Sequence, residues 1–323
     1  MQTIKRLIKQ APCRAGLLLV CSFLLFLSCR SLSPVDERAE RLIVAPSPET
    51  VLPQWRSLSV FGITEDADGV VYYAGKVSHP RLEFNALRID LSNPNLRILA
   101  AGGGGRAYGD AGGSLENGKF LSTKVSSFVR DNGLLAGINA LPFDPVSDRE
   151  GEPRTNVGIV IADGVMISPP HTQFDALVFY ADGSAAIAAQ SALPAEIENA
   201  VKNAVGGFHR ILEAGELVPR VLDITARHPR SAAGISPDGK FLYLLVIDGR
   251  RPGSVGSTEA ETALILRALG AGEGINFDGG GSSALALRYP DGTVRVANTP
   301  VHGHIPGRER AVAGCLGVGV REK

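Results

Sequence analysis

From Val70 onward the apolar residues of this chain fall in short runs, each closed by Gly, Asn, Asp or Pro. Runs so brief cannot lay a buried stripe along a helix, yet each is long enough to cross a core as a strand. Leu87-Arg-Ile-Asp-Leu91 and Leu96-Arg-Ile-Leu-Ala100 flank Asn93-Pro-Asn95, while Asn156-Val-Gly-Ile-Val-Ile161 runs into Asp163-Gly164 and Ala176-Leu-Val-Phe-Tyr180 into Asp182-Gly183. Dipeptides of this kind turn a chain back on itself, so hairpins are predicted. They recur without a fixed period, which argues for one domain and against a repeat array. With 38 glycines and 6% aromatic residues the composition suits tight turns better than a helical bundle. Residues 123–130 carry helical spacing instead, with Val125, Phe128 and Val129 on one face, and lead through Asp131-Asn-Gly133 into a strand that ends near Asn139. The expected fold class is mixed α/β (α+β), a strand-rich sheet with flanking helices.

The N-terminus carries a different signal. Lys5, Arg6, Lys9 and Arg14 precede an apolar stretch from Gly16 to Leu27, which is shorter than the roughly 20 residues a membrane-spanning helix needs. Residues 1–28 therefore read as an export signal. Leu27-Ser28-Cys29 resembles a lipobox, with Cys29 as the lipidated first residue of the mature chain, and residues 29–67, which contain Pro34, Pro46, Pro48 and Pro53, read as a tether to the membrane. The folded domain is then residues 68–323, and the expected location is the bacterial periplasm or outer-membrane surface, through a lipid anchor. Cys13 and Cys21 leave with the leader, so Cys315 is the last free thiol, expected on a buried strand; an unlipidated Cys29 would leave a bridge to Cys315 open. Equal numbers of acidic and basic residues, 33 each, with no basic run after the leader, give no electrostatic reason to expect nucleic acid as a partner.

The stretch from Arg230 to Ser283 can be folded on paper. Ser231-Ala-Ala-Gly-Ile235 and Phe241-Leu-Tyr-Leu-Leu-Val-Ile247 flank Ser236-Pro-Asp-Gly239, a turn sequence, so the two form a hairpin that brings Arg230 beside Asp248. A Gly- and Pro-containing loop then leads to Thr258 and Glu261, spaced as a capping box, and the helix they open stops at Gly270. Gly274-Ile-Asn-Phe277 follows as a short buried strand that delivers Asp278 into Gly279-Gly-Gly-Ser-Ser283. Strand, helix, strand implies a parallel crossover, in which both strand ends and the start of the helix share one edge. Asp248, Glu259 and Asp278 should therefore converge. A glycine turn admits a ligand close to backbone N–H groups, arginine grips phosphate through two donors, and paired carboxylates act at an anomeric carbon. The same residues have bland readings: Asp-Gly as a turn, Arg230 as a structural ion pair, and Glu259 as a complement to the helix dipole.

Taken in order, Arg230-Ser-Ala-Ala-Gly234, Asp248-Gly-Arg250, Ser254, Gly256, Thr258-Glu259, Gly270 and Asn276-Phe-Asp-Gly-Gly-Gly-Ser-Ser283 resemble the phosphodiester glycosidase family, typified by the lysosomal uncovering enzyme. Weaker similarity extends to Ile138-Asn139, Gly206-Gly207, Asn298-Thr-Pro300 and Arg310-Ala-Val312. The resemblance implies hydrolysis of a sugar-1-phosphate diester in envelope or exopolysaccharide glycans. Asp278, Glu259 and Asp248 would be the catalytic carboxylates, and Arg230, Arg250, Asn139, Asn276, Gly279, Gly280, Gly281 and Ser282 would bind substrate. Two departures from the family pattern are Asn139-Ala-Leu-Pro-Phe143 in place of a shorter Asn-Gly-aromatic motif, and His209 where Pro is usual.

Other readings were weighed on the residues. Gly279-Gly-Gly281 with Ala284 loosely fits a dinucleotide fingerprint but leaves no room for the helix it needs, and Asp278 would repel the pyrophosphate. The glycines from 102 to 113 lack the strand-to-helix setting of a phosphate cradle. No G-x-S-x-G elbow points to a serine hydrolase. His302 and His304 alternate as on a strand face but have no third metal ligand nearby. No cofactor is expected, although the acidic cluster offers hard oxygen ligands that would suit a divalent cation. The alternative from another class is a non-catalytic surface lipoprotein that binds a glycan or another partner with the same fold.

Overall fold

The computed structural model describes residues 56–58, 69–102, 119–193 and 200–321. The export signal, Cys29, most of the tether and the glycines from 103 to 113 lie outside the described residues.

The strands form four sheets in which every pairing is antiparallel. The largest runs, in spatial order, Arg56–Leu58, Val70–Ser78, Arg81–Asp90, Phe241–Ile247, Arg230–Ile235, Glu273–Asn276, Arg210–Glu213, Glu216–Leu217. A second holds Val165–Ser168, Val160–Ala162, Val201–Gly206, Asp175–Tyr180 and Ala185–Ala189. A third holds Val294–Val296, Leu285–Arg288, Ala136–Asn139, Gly314–Val320 and Leu96–Gly102, and a small fourth holds Lys119–Leu121, Pro153–Asn156 and Phe143–Asp144.

Phe241–Ile247 shows why the largest sheet is central. It is apolar at every position because both of its faces are covered. Leu242, Leu244 and Val246 join Leu177 and Val205 of the second sheet and Ile138 and Leu316 of the third in one core. Tyr243, Leu245 and Ile247 point the other way, onto Ala260, Ala263, Leu266 and Leu269 of the helix Glu259–Leu269. The other helix, Val125–Asp131, buries Val125, Phe128 and Val129 against Ala286 and Cys315 of the third sheet.

These are the two α-helices among the described residues, so the expected strand-rich sheet is present and one helix flanks it, but the α/β label fits loosely: the described residues are mostly β, and the other face of the main sheet is covered by other sheets. Sheet-on-sheet burial leaves no periodicity that distinguishes it from sheet-on-helix burial, because both demand apolar residues at the same strand positions.

The local chemistry between Arg230 and Gly270 follows the sequence. Ser236 and Gly239 close the predicted turn, with Gly239 at φ 72° and Ser236 Oγ accepting from Phe241 N at 2.8 Å. Thr258 Oγ1 accepts from Glu261 N and the Glu261 carboxylate accepts from Thr258 N, both at 3.1 Å, completing the capping box. Gly270 ends the helix at φ 112°, where a β-carbon would lie 2.6 Å from the Tyr243 hydroxyl. The crossover differs from the expectation in one respect. Phe241–Ile247 and Glu273–Asn276 run parallel, but Arg230–Ile235 lies between them and pairs antiparallel with both.

Candidate active site

One edge of the main sheet collects the chain segments that carry chemistry. Across it, neighbouring positions are the end of Phe241–Ile247 leading into Asp248, the start of Arg230–Ile235, the end of Glu273–Asn276 leading into Asp278, and the start of Arg210–Glu213. Arg230 sits opposite Ile247, and Ala232 opposite Asn276. The helix Glu259–Leu269 begins at this edge, so Glu259 arrives above Arg230.

Arg230, Glu259 and Asn276 form one connected group. Arg230 Nη1 donates to Glu259 Oε1 at 3.2 Å, and Asn276 Nδ2 approaches the same oxygen at 3.4 Å. The other Arg230 nitrogens donate to the carbonyls of Ser257 and Ala226, at 3.3 and 3.2 Å. Burial lowers the pKa of the Arg230 guanidinium, and Glu259 opposes that shift. Glu259 Oε2, Asn276 Oδ1 and Ser283 Oγ are buried and have no hydrogen-bond partner. Unanswered polar atoms of this kind are unusual, since an unsatisfied buried group costs about 1–3 kcal/mol.

Asp248 belongs to a separate group. Its Oδ2 accepts from Arg251 at 2.7 Å, and its Oδ1 accepts from Asn298 Nδ2 at 3.1 Å and Thr299 N at 2.9 Å. Its carbonyl takes the Ser254 hydroxyl at 2.6 Å, and Arg251 also pairs with Glu83. Burial raises the Asp248 pKa, against the pull of Arg251, Thr299 and Asn298. Both carboxylate oxygens are therefore engaged in holding loops together.

Asp278 stands where the strand opens into the glycine turn. It is half-buried, yet protein crowds its carboxyl closely enough that burial pushes its pKa up to about 6, opposed by the Ser282 hydroxyl, Arg310 and the Gly279 N–H. Asn139 fixes it from below. The Asn139 Nδ2 donates to the Asp278 carbonyl at 2.6 Å, while its Oδ1 accepts from Ser231 Oγ at 2.7 Å and Ala284 N at 3.2 Å. Asn139, expected to bind substrate, has its amide occupied in this way.

Close approach of backbone requires Gly279, while Gly280 and Gly281 leave room for two arginine side chains. A β-carbon on Gly279 would lie 2.7 Å from the Pro229 carbonyl, one on Gly280 3.1 Å from Arg250, and one on Gly281 2.5 Å from Arg310. Gly280 also has φ 62°. Arg250 is exposed and approaches His228 Nδ1 at 3.4 Å. Arg310, half-buried, donates to Ser282 Oγ at 3.1 Å and to His302 Nδ1 at 2.9 Å. Neither arginine has a carboxylate within ion-pair distance among the described residues, although Asp278 and Arg250 both act electrostatically on Arg310. His228 and His302 have lowered pKa values, from burial and then from the neighbouring arginines, which leaves both neutral near pH 7.

Among the described residues no three His, Cys, Asp or Glu side chains form a group that could hold a metal ion. Asp248, Glu259 and Asp278 instead each face a different arginine: Arg251, Arg230 and Arg310. His302 and His304 lie in a short 3-10 turn with neither side chain buried. Arg251 and His228 carry no signal in the sequence, and Asn298 and Arg310 enter only through the weaker part of the family resemblance. Their partners are 3, 22, 50 and 28 positions away, and no local pattern distinguishes Arg251 from its neighbour Arg250.

Carboxylates beside an arginine-lined glycine turn are the makings of a glycosidase-type hydrolase. The family model described as phosphodiester glycosidase matches residues 132–319, more than half of the chain, and the chain belongs to that family. No curated protein matches the sequence. Several solved structures share the fold, among them these three. The catalytic domain of zebrafish N-acetylglucosamine-1-phosphodiester alpha-N-acetylglucosaminidase, auto-inhibited by its pro-peptide, is 17% identical with a TM-score of 0.58 over 87% of this chain and 93% of that one. A protein from Burkholderia pseudomallei described as exported is 16% identical, with a TM-score of 0.55 over 74% of each chain. A hypothetical protein from Synechocystis is 15% identical, with a TM-score of 0.52 over 79% of this chain, which spans 62% of the Synechocystis protein.

Proposed function

We propose that this protein hydrolyses a sugar-1-phosphate diester, with phosphate seated between Arg310, Arg250 and the Gly279–Ser282 turn and the sugar over Glu259 and Asn276. The observation that carries the reading is a pair of arginines with no carboxylate within ion-pair distance among the described residues, set against glycines that leave no β-carbon between backbone and ligand. Arg230, first expected to grip the phosphate, is better suited to hold Glu259, because its nitrogens already meet protein acceptors. The unpartnered Glu259 Oε2, Asn276 Oδ1 and Ser283 Oγ would be answered by sugar hydroxyls.

In the proposed reaction Asp278, as carboxylate, takes a proton from water while the water oxygen bonds to the anomeric carbon. The bond from that carbon to the phosphate oxygen breaks, and a phosphate monoester leaves with its electron pair. Phosphate leaves readily, so the step needs less help from a general acid than an alkoxide would. Arg310 and Arg250 offset the charge growing on the leaving oxygen. Asp248 would act as a positioning residue for the Arg251 and Asn298 loops. Export as a lipoprotein, with envelope or exopolysaccharide glycans as substrates, is part of the proposal; the Burkholderia protein that shares the fold is described as exported.

The test is release of sugar from a panel of sugar-1-phosphodiesters by the purified protein and its Asp278→Asn variant. Turnover lost in the variant, with folding intact, supports the reading. Retained turnover removes Asp278 from the mechanism, and binding without turnover by the wild type would favour a glycan-binding surface lipoprotein.

A further inference from the structure

Beyond Asn276, on the side away from Arg250, the same sheet edge carries a cluster of four rings. His171 stacks on Phe174 with centroids 3.9 Å apart and planes 20° apart, and Phe174 meets Phe208 and His209 edge-on, both at 5.3 Å. All four residues keep part of their surface open to solvent. The cluster is tied to the candidate site by its backbone. Phe208 N donates to the Asn276 carbonyl at 2.8 Å and Asn276 N donates to the His209 carbonyl at 3.0 Å, so the rings spring from the chain one strand spacing, about 4.8 Å, from a residue whose side chain reaches Glu259.

The order along the edge is then Arg250, Arg230, Asn276, and the rings. With phosphate at the first and the scissile sugar over the second and third, a ring at the fourth position belongs to the glycosyl side. A pyranose presents an apolar C–H face that suits aromatic surface and hydroxyls that suit imidazole nitrogens, the mixture of ring and polar edge this cluster offers. We propose that His171, Phe174, Phe208 and His209 form a subsite for a second sugar ring on the glycosyl side of the phosphate, so that the preferred substrate is a phosphodiester of a disaccharide or longer chain. The inference rests on the phosphodiester glycosidase reading of the neighbouring site.

The experiment compares two methyl phosphodiesters, one of a monosaccharide and one of a disaccharide with the same reducing-end sugar, on the wild type and on Phe208→Leu, which keeps bulk and loses the ring. Expected is a preference of about tenfold in kcat/KM for the disaccharide diester in the wild type, carried by KM and lost in Phe208→Leu, with the monosaccharide diester turned over equally by both. No preference in the wild type, a preference kept in the variant, or an equal loss on both diesters would overturn it. If the wild type turns over neither diester, the hydrolase reading fails by itself. The same comparison is then made in dissociation constants by calorimetry, where a disaccharide preference lost in Phe208→Leu supports the subsite and its absence, or no binding at all, overturns it.

Discussion

At Asp278 stability and the proposed chemistry pull in opposite directions. Its pKa is raised from 3.8 to about 6, so the native state holds the proton more tightly than the unfolded chain. The sign follows: any stability contributed by the protonated form is complete below the unfolded value and is lost as pH rises through about 6, leaving the ionised group a burden near neutrality. That burden is at most about 3 kcal/mol, at about 1.4 kcal/mol per pH unit. The Asp278→Asn protein should therefore melt several degrees above the wild type near neutral pH, and lose the fall in Tm that the wild type shows between about pH 4 and pH 6. Thermal scans across that range check this; an Asn variant that melts lower than wild type throughout would show that burial does not govern this carboxyl. The proposed reaction needs the ionised form, so kcat/KM should fall as pH drops through about 6, tracking the same group in pH-rate measurements. Arg310→Lys keeps the charge at the phosphate seat but removes the planar fork, so KM for a phosphodiester should rise about tenfold or more while the melting temperature stays near that of the wild type.

The glycine turn and the capped helix present the site as elements, and they respond differently to small changes. On Gly281 a methyl group would meet the far end of the Arg310 side chain, which can move, and Gly281 is not among the glycines with positive φ. Gly281→Ala should thus displace the guanidinium without unfolding the turn, raising KM for a phosphodiester at nearly unchanged stability. Steady-state kinetics beside a melting curve separates the two effects. Thr258→Ala removes one half of the capping box at the helix that presents Glu259, and should cost about 1 kcal/mol in denaturant unfolding. These elements were legible in the sequence because their determinants are local: Thr258 and Glu261 are three residues apart, Ser236 to Gly239 close their own hairpin, and Gly270 marks its own helix end. The loop after Ile247 was not. Arg250 and Arg251 are adjacent, and only the fold turns Arg251 back to Asp248 and Glu83 while leaving Arg250 toward Gly280.

At the scale of the molecule, three sheets share one core, and Cys315 lies in a central strand of the third sheet, between Leu96–Gly102 and Ala136–Asn139. Its thiol is buried and its pKa is pushed up by that burial, so a thiol reagent should label it only as the protein unfolds, at a rate that follows the global transition; prompt labelling of the native protein would contradict this placement. The sequence by itself determined that the chain is built of short strands, where the hairpin and capped helix around Arg230 to Gly270 lie, and that the segments carrying Arg230, Asp248, Glu259 and Asp278 share one sheet edge, though not that the three carboxylates would fall into separate groups, because the shared edge depends on turn chemistry and strand direction that neighbouring residues set. Only the tertiary structure decided that other sheets cover the main one, that Asp248 is held by Arg251 and Asn298, and that Arg310 stands beside Ser282 and the glycine turn. Those outcomes depend on pairings between residues distant in the chain, chosen by packing and by the need of each buried charge for a partner, and no local pattern records which partner it will find.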